Sequence, residues 1–492
     1  MTLPLGPLGD LSTPDLRAAL HRMADWVADY RDTLEARRIV PLVQPGDVTR
    51  GLADSLPEEP ESIDRVLHDL DAVVMPGIVH WGHPAFLGYF GSTSNGPALL
   101  GEIAAAALNV SAMTWRTSPA ATELETTVLR WIAELVGLPA TFMGIVYDTA
   151  SVAVVHALAA ARERACADVR TRGLGGRADS RPLRIYASDQ AHSSAEKAAI
   201  MLGIGEANVV RVPSDVRHRM DVSALRRAIA DDRARDMVPL AVIATVGTTT
   251  SAAVDPVRAV AAVCEAERVW LHVDAAYGGA IGVLPEGRAL MDGVERADSI
   301  VINPHKWLFV PLDFSTLYLR DPESLRRVFS VVPEYLRGDA SAAGVDRPAA
   351  IDYMDYGIQL GRRFRALKAW MVLRAFGRAG IESRIREHCR LAAVLASHVG
   401  VAPGFVLATP VSMSIVCFRA VPAGWRDEDV DRLNASIVEG VNASGSGYLT
   451  HSVLAGRVVM RAGFGNVLTT EQHLVQVWEQ VRAERARLVR ER

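Results

Sequence analysis

The segments VWLHVDAAYGG, residues 269–279, and SIVINPHKW, residues 299–307, decide the fold. Each begins with a short apolar run that predicts a buried β-strand, Val269–Val273 in the first and Ser299–Ile302 in the second. Polar and charged side chains follow each strand directly. Ligands of open α/β sheets bind beyond the carboxyl ends of parallel strands. The two segments therefore predict a parallel sheet with a ligand site at this edge.

Upstream of these segments, strand candidates alternate with helical stretches. The further strands are predicted at Arg184–Ala187, Asn208–Val212 and Leu240–Val246, and helices at Val222–Ala234 and Pro256–Glu267. Strands that alternate with helices in this way are typical of a mostly parallel, doubly wound sheet. We therefore expect an α/β domain over residues 91–380.

The two ends of the chain predict smaller units. Helices at Thr13–Glu35 and Ser62–Val74, joined by the proline-rich extended connector Pro41–Glu61, predict an N-terminal helical arm over residues 1–90. Residues 381–492 predict a small C-terminal α+β domain. The elements expected near this end are helices Arg365–Gly380 and Ile381–Val399, and strands Ser412–Phe418 and Arg457–Arg461. Gly338–Ala350, rich in small residues, is predicted to be a mobile loop.

Composition excludes several classes of function. The formal net charge of −4 gives no reason to expect a nucleic-acid partner. The four cysteines lack the spacing of a metal site or a disulfide framework. The first residues lack a signal peptide, and the apolar stretch Pro97–Val110 contains Glu102 and is too short to span a bilayer. We expect a cytoplasmic protein without a membrane or nucleic-acid partner and without a metal.

Lysine is scarce, which narrows any chemistry that depends on an amine nucleophile. Lys197, Lys306 and Lys368 are the only lysines among 53 basic residues. An arginine stays charged, whereas a lysine amine can be deprotonated and attack a carbonyl group. Lys306 follows a predicted strand, and its neighbours His305 and Trp307 would partly desolvate the amine and lower its pKa.

Asp274 ends the strand that precedes the lysine strand. A carboxylate in that place can hold a pyridinium nitrogen protonated, which is what pyridoxal phosphate (PLP) requires as an electron sink. Asp274 could instead cap the next helix. Its pairing with Lys306 at the end of the next strand favours the cofactor.

Three further segments follow strands or begin helices. Asp148-Thr149-Ala150-Ser151 precedes a predicted helix, where backbone N–H groups and hydroxyls can bind phosphate, although Asp148 would repel it if it pointed inward. Gly247-Thr248-Thr249-Thr250 can donate to a cofactor oxygen or cap a turn. His192, in DQAHSS, could stack on an aromatic cofactor, although a lone histidine is more often structural.

These motifs occur in the order and spacing of the group II PLP-dependent decarboxylases, and the chain resembles the aromatic-L-amino-acid decarboxylases from about Leu11 to Thr470. The motifs are HW (80–81), YF (89–90), SPAATELE (118–125), DQAHSS (189–194), TVGTTTSAAVDP (245–256), WLHVDAAYGG (270–279), GVERADS (293–299), NPHKW (303–307) and LGRRFRALK (360–368). HVDAAY with NPHKW at this spacing is a highly specific signal.

The resemblance implies PLP fold type I, a homodimer with sites at the interface, and a role for each matching residue. It implies that Lys306 binds PLP, Asp274 pairs with the ring nitrogen, and His192 and Ala276 lie on opposite faces of the ring. It places Thr149, Ala150, Ser151 and Asn303 around the phosphate. Thr249 and His305 support the cofactor and the leaving carboxylate, and Tyr335 protonates the carbon that has lost CO₂. The substrate residues are Trp81, Tyr89, Phe90, Ser92, Ser111 and Met113.

The sequence departs from the family pattern in three places. The phosphate segment begins with Asp148 where the family usually has glycine, and Gly91-Ser92-Thr93 replaces Pro-Thr-Ala. Ser111 and Met113 stand where aromatic decarboxylases carry an aliphatic and an aromatic residue that reach the substrate ring across the dimer. Serine there weakens the case for a simple aromatic substrate.

The resemblance implies decarboxylation of an L-amino acid, aromatic or related, to the amine and CO₂. The alternative is decarboxylation coupled to oxidative deamination, which gives an aldehyde and could act on a non-aromatic, for example sulfur-containing, amino acid. Tyr335 and His192 argue against this route, because aldehyde synthases of the family replace one or the other. An aminotransferase, or a PLP-binding protein without catalysis, is disfavoured by the combination of Lys306, Asp274, His192 and Tyr335.

Overall fold

The computed structural model describes residues 10–91, 93–166, 168–177, 181–331 and 350–492. Its helices are α1 Thr13–Thr33, α2 Asp47–Gly51, α3 Ile63–Asp69, α4 Gly96–Leu108, α5 Pro119–Val136, α6 Ala150–Ala165, α7 Val169–Arg172, α8 Ser194–Met201, α9 Val222–Ala234, α10 Val257–Glu267, α11 Pro304–Trp307, α12 Glu323–Phe329, α13 Ala366–Val401, α14 Asp427–Ser444 and α15 Glu471–Arg490. Its strands are β1 Met143–Tyr147, β2 Leu183–Ser188, β3 Val209–Val212, β4 Val238–Thr245, β5 Trp270–Asp274, β6 Ser299–Ile302, β7 Ser315–Leu319, β8 Phe405–Leu407, β9 Ile415–Ala420, β10 Thr450–Leu454 and β11 Arg457–Gly463.

The large sheet has seven strands in the order β1-β7-β6-β5-β4-β2-β3. The neighbours from β3 to β6 are parallel, whereas β7 is antiparallel to both β6 and β1. The predicted strands β2 to β6 and the mostly parallel, doubly wound α/β sheet are confirmed. The sequence did not predict β1 and β7, which form the antiparallel edge.

The apolar residues of the central strands are buried. This is typical of parallel strands, which are covered on both faces of the sheet. Helix α6 packs on β4, β5 and β6, and it presents Ala153, Ala157, Ala160 and Ala161 to the core. Small side chains let a helix lie close to a sheet. The start of α6 is thereby fixed near the strand ends.

A second, small sheet has the order β10-β11-β9-β8, and β10 pairs with β11 in an antiparallel register. The predicted strand Ser412–Phe418 begins later, at Ile415, because Ser412 and Ile415 form an isolated bridge in a turn. The two helices predicted on either side of residue 380 are confirmed within α13, which is broken at Gly377 by a non-helical φ of +60°, three residues before the predicted boundary.

The predicted N-terminal helices are present with changed ends. Helix α1 ends at Thr33 instead of Glu35, and the second predicted helix is α3 followed by a π-helical turn, Leu70–Val74. The connector expected to be extended contains α2. Of the predicted mobile loop Gly338–Ala350, all but Ala350 lies outside the described residues.

Contacts divide the chain into two compact units. One contains the described residues of Met1–Tyr89, Arg419–Ala462 and Leu468–Arg492, and the other contains those of Phe90–Phe418 and Gly463–Val467. The three-domain division expected from the sequence remains a prediction. Within the described part of the chain, no helix is both long and apolar enough to cross a membrane.

Candidate functional site

A cavity of about 200 Å³ lies in the second unit, where β4, β5 and β6 end and α6 begins. The residues that line it are Phe90, Thr149, Ala150, Ser151, His192, Thr245, Gly247, Thr249, Asp274, Ala276, Tyr277, Asn303, His305 and Lys306. Every residue assigned to the cofactor from the sequence is among them. Six separate segments of the chain therefore meet at the predicted edge of the sheet.

Lys306 lies in the short helix α11, directly beyond β6. Its Nζ is 4.8 Å from the centroid of the Phe90 ring, and Phe90 stacks on Tyr277 at 4.1 Å. Tyr277 stacks in turn on Trp307 at 5.0 Å. This aromatic column gives the lysine amine an electron-rich neighbour inside the cavity.

Asp274 is a buried carboxylate at the end of β5. Its Oδ1 accepts a hydrogen bond of 3.0 Å from the backbone N–H of Ala276. In the parallel registers, Asp274 lies opposite Thr245 of β4 and Val301 of β6. The cavity therefore combines one carboxylate, Asp274, with one amine, Lys306.

Two neutral histidines line the cavity. His192 Nδ1 accepts from the Ser194 N–H at 3.1 Å, and His305 Nδ1 accepts from the Phe314 N–H at 3.1 Å. Burial lowers the pKa of both imidazoles. For His305 the positive charge of Lys306 adds to the effect of burial, and the pKa falls to about 3. Because Nδ1 is an acceptor in each ring, Nε2 carries the proton.

The phosphate segment forms the first turn of α6. Thr149 is the N-cap, and its side-chain oxygen accepts from the Val152 N–H at 3.4 Å. The first amides of a helix have no acceptor within the helix, so those of Ala150 and Ser151 suit an anion. Asn303 Oδ1 accepts from Ser315 Oγ at 2.6 Å, which orients the amide beside this turn.

The unusual Asp148 is paired. Arg365 Nη2 lies 2.6 Å from Asp148 Oδ1 and 3.0 Å from Asp313 Oδ2. The guanidinium therefore offsets a carboxylate that would otherwise repel phosphate.

The basic residues of LGRRFRALK all form ion pairs. Arg362 forms a buried, bidentate pair with Glu125 at 2.6 and 3.1 Å and also donates to the carbonyl oxygens of Ala112 and Val146. Arg363 and Lys368 both pair with Glu102. The motif thereby joins α4, α5 and the end of β1, and its function in the fold is positional.

Some predicted substrate residues do not line the cavity. Ser111 Oγ accepts from the Arg362 N–H at 3.2 Å, and the Met113 carbonyl oxygen accepts from the Met354 N–H at 3.1 Å. Trp81 and Tyr89 belong to the other unit, where their rings stack at 5.2 Å. Ser92 and Tyr335 lie outside the described residues.

Tyr353, the next tyrosine after Tyr335 in the chain, is buried away from the cavity. Its hydroxyl is 2.9 Å from Thr126 Oγ1, and burial raises its pKa. Sequence reasoning assigned no role to Thr245 and Tyr277, which also line the cavity. Their position at or just after a strand end was the available signal.

The lining fits PLP. It offers a lysine amine, a buried carboxylate for a ring nitrogen, an imidazole for the ring face and a helix start for the phosphate. The hydroxyl of Thr245, which has no hydrogen-bond partner among the described residues, adds a polar group to the same cavity.

Comparison with known proteins agrees with this chemistry. Residues 45–421 match the model of the pyridoxal-dependent decarboxylase conserved domain. Phenylacetaldehyde synthase of Arabidopsis thaliana is 38% identical over 98% of both chains, and tryptophan decarboxylase 2 of Oryza sativa subsp. japonica is 39% identical over 98% of this chain and 97% of its own. The crystal structure of Oryza sativa TDC with PLP and tryptamine superposes with a TM-score of 0.93 at 36% identity and covers 99% of this chain and 100% of its own.

The match covers most of the chain, and the fold-type I architecture and the PLP cofactor are those expected from the sequence. The chain belongs to the pyridoxal-dependent decarboxylase family and is a PLP-dependent carboxy-lyase that acts on an amino acid.

Proposed function

We propose that the chain decarboxylates an L-amino acid, aromatic or related, and releases the amine and CO₂. The observation that carries the proposal is the cavity in which Lys306, Asp274 and His192 meet the start of α6. We call this start, Thr149-Ala150-Ser151, the phosphate turn. The relatives alone do not select the product, because an aldehyde synthase and an amine-forming decarboxylase are almost equally similar to the chain. His192 and Tyr335 favour the amine, as the resemblance implies.

Each residue has a distinct task in this proposal. When bound, PLP supplies an electron-withdrawing ring that accepts the electron pair of the broken Cα–carboxylate bond. Lys306 holds the cofactor and releases it to the amine of the substrate. Asp274 keeps the ring nitrogen protonated, and His192 covers one face of the ring while Ala276 lies against the other.

His305 is assigned to the leaving carboxylate. A pKa of about 3 keeps the imidazole uncharged, so it can orient the carboxylate through Nε2–H without the attraction of a full positive charge. Tight binding of the carboxylate would stabilise the ground state more than the transition state, in which the negative charge leaves that group. A neutral donor is therefore the better partner.

The substrate is the part of the proposal with the widest range. Ser111 is engaged with the Arg362 backbone, and the family places this position against the substrate ring. A hydroxyl there suits a polar side chain as well as a ring that carries a hydroxyl. We therefore include non-aromatic and sulfur-containing amino acids beside tryptophan, tyrosine and phenylalanine.

The test is a panel of these amino acids incubated with the PLP-loaded protein. We expect equal amounts of amine and CO₂, without uptake of O₂. The oxidative alternative consumes one O₂ and one water and yields aldehyde, CO₂, ammonia and hydrogen peroxide. Stoichiometric O₂ uptake by the unaltered protein would overturn the amine product, and a keto acid without CO₂ would indicate transamination.

Tyr335→Phe tests the proton donor. Without the phenol the carbon that has lost CO₂ is protonated slowly, so aldehyde and peroxide should rise relative to amine. Tyr353→Phe is the matched control, because its hydroxyl contacts Thr126 and it does not line the cavity. Diversion by Tyr353→Phe alone would reverse the assignment.

We also propose a cytoplasmic homodimer. Helix α4 exposes an apolar stripe, with Leu100, Ile103 and Leu108 exposed by 63%, 54% and 59%. Exposed apolar patches of this kind favour a subunit interface. Light scattering should give twice the chain mass of 53.1 kDa, and Ile103→Glu should shift it toward one chain, whereas Val401→Glu, at an exposed site on α13, should not.

A further inference from the structure

Two buried polar atoms near Asp274 have no hydrogen-bond partner among the residues that the structure describes. They are His272 Nε2 and Thr245 Oγ1, and their residues are 0% and 4% exposed. A buried polar atom without a partner costs about 1–3 kcal/mol, so such atoms need an explanation. Both flank the carboxylate to which the ring nitrogen is assigned.

The proton on His272 can be placed from its neighbours. Trp270 Nε1 lies 2.9 Å from Ser299 Oγ, and His272 Nδ1 lies 2.9 Å from the same oxygen. An indole N–H can only donate, so Ser299 accepts from Trp270. Of the two described groups that contact this oxygen, Trp270 Nε1 and His272 Nδ1, only His272 Nδ1 can accept the hydroxyl proton of Ser299. His272 therefore carries its own proton on the unpartnered Nε2.

The strand geometry directs this donor toward Asp274. Trp270, His272 and Asp274 alternate along β5, so all three side chains lie on one face of the sheet. Thr245 is the register partner of Asp274, and Ser299 is the register partner of His272. In a parallel pair, register partners lie side by side on the same face.

His272 stays neutral over the physiological range. Burial lowers its pKa to about 4, and the negative charge of Asp274 opposes that shift. Asp274 is thus the charged group whose field reaches His272.

We propose that Trp270, Ser299 and His272 form a hydrogen-bond relay that ends on the Asp274 carboxylate through one buried water, to which Thr245 also bonds. His272 Nε2–H, Thr245 Oγ1 and Asp274 provide three polar partners, the number that a buried water usually makes. His272 is then a positioning residue. It stabilises the ionised carboxylate and, through it, the proton on the ring nitrogen. The inference rests on the proposed role of Asp274.

The test compares the binding of two cofactors to the apoprotein. One is PLP, and the other is 1-deaza-pyridoxal phosphate, in which a carbon replaces the ring nitrogen. The ratio used below is the Kd of the deaza analogue divided by the Kd of PLP. It measures how much binding free energy the protein gains from its contact with the ring nitrogen. A hydrogen bond to a charged group contributes enough to change a dissociation constant about ten- to a hundredfold.

Four variants separate the relay from general damage to the fold. We expect His272→Leu to reduce the ratio about ten- to a hundredfold, Ser299→Ala to reduce it less, and His272→Gln, whose amide can replace Nε2–H, to restore much of it. His156→Leu is the matched control. His156 is also a buried, neutral imidazole, with a pKa of about 4, but it contacts Tyr147 and Phe329 on α12. It should weaken both cofactors equally.

Asp274→Asn distinguishes the two levels of the proposal. If Asp274→Asn leaves the ratio unchanged, the role of Asp274 itself is wrong. If Asp274→Asn lowers the ratio but His272→Leu and Ser299→Ala leave it at the unaltered value, the relay is overturned while the role of Asp274 stands. A shifted absorption spectrum of bound PLP in His272→Leu, restored in His272→Gln, would be further support.

Discussion

Arg365 compensates for the one acidic side chain beside the phosphate turn. It holds Asp148 and Asp313 together, so its removal exposes two carboxylates of which only Asp148 adjoins Thr149. Glycine at this position, as the family usually has, would need no such partner. We therefore interpret the arginine and the aspartate as one unit that would permit phosphate to bind at the predicted site.

We predict that Arg365→Ala raises the Kd for PLP. Repulsion between Asp148 and the phosphate should cost about 1–2 kcal/mol, or about five- to thirtyfold in Kd. The double variant Asp148→Asn/Arg365→Ala should recover most of this loss in an equilibrium titration. Asp313→Asn/Arg365→Ala is the matched control and should not recover it. Equal recovery in both would place the repulsion elsewhere.

Lys306 should be the lysine that carries the cofactor. Lys368 is buried and bonded to Glu102 at 2.6 Å, and Lys197 lies in α8 outside the cavity lining. Borohydride reduction of the PLP-loaded protein followed by peptide mapping should label Lys306. A label on either other lysine would refute the assignment.

The positions of the main site residues were largely predictable from the sequence. Asp274, His192 and Lys306 follow strands in the chain, and parallel strands bring their carboxyl ends to one edge. The pairing of Asp148 with Arg365 was not predictable, because the partners are distant in sequence and no periodic pattern connects them. The same holds for Ser299 and His272, whose contact depends on strand register.

At the scale of the elements, the Arg362–Glu125 pair holds α5, β1 and the segment around Ala112 together. Arg362 donates to Glu125 on α5, to Val146 on β1 and to Ala112, and its guanidinium lies 4.7 Å from the centroid of the Tyr353 ring. Because the Arg362–Glu125 pair is buried, removal of only one partner should destabilise the fold strongly. The segment that carries Ser111 and Met113 depends on this anchor.

We predict that Arg362→Met lowers the free energy of unfolding by about 3–5 kcal/mol, because it leaves the Glu125 charge buried without a partner. Arg362→Met/Glu125→Leu should recover only part, since the carbonyl groups of Ala112 and Val146 remain unsatisfied. Arg378→Met breaks the exposed pair with Glu134 and should change stability by about 0.5 kcal/mol or less. Urea titrations measure all three, and a small effect of Arg362→Met would show that the pair is dispensable.

Elements with a single burial pattern were the easiest to predict. Strands β4, β5 and β6 are continuous apolar runs and were found, whereas β1 contains Gly144 and follows a long amphipathic helix, and β7 follows α11 after a short turn. Neither alternation nor run length distinguishes such short edge strands from loops. The break in α13 was predicted three residues too late, after Gly380 instead of at Gly377, because both glycines lie within an otherwise helical pattern.

At the scale of the molecule, buried histidines should cause most of the loss in the free energy of unfolding at acid pH. Burial lowers the pKa of His156, His272 and His388 to about 4 and that of His305 to about 3, against 6.5 as the ordinary value. At a pH between the lowered pKa values and 6.5, the unfolded chain binds protons at these histidines that the folded chain does not bind. Stability therefore falls as the pH falls below about 6.5.

One buried carboxyl acts in the opposite direction. Burial raises the pKa of Asp255 to about 6, so the folded chain binds a proton before the unfolded chain does, and this group adds stability as the pH falls. Four histidines against one aspartate give a net uptake of about three protons on unfolding near pH 5.5. Urea midpoints of the apoprotein should correspond to a loss of about 4 kcal/mol per pH unit there. His388→Gln should remove about a third of this net slope, because it removes about one of the three protons. A flat profile between pH 6.5 and 5 would contradict the prediction.

The antiparallel edge has a consequence for how the protein is made. The phosphate turn is the direct continuation of β1. Among the strands that the structure describes, β1 pairs only with β7, in a register that joins Tyr147 to Ser315. A ribosome must therefore deliver β2 through β7 before β1 has a partner. Nascent chains that end before Ser315 should fail to capture the cofactor even though they already contain Asp274, Lys306 and the complete phosphate turn. We therefore expect cofactor capture during synthesis to wait for the last strand of the sheet and not for the arrival of Lys306.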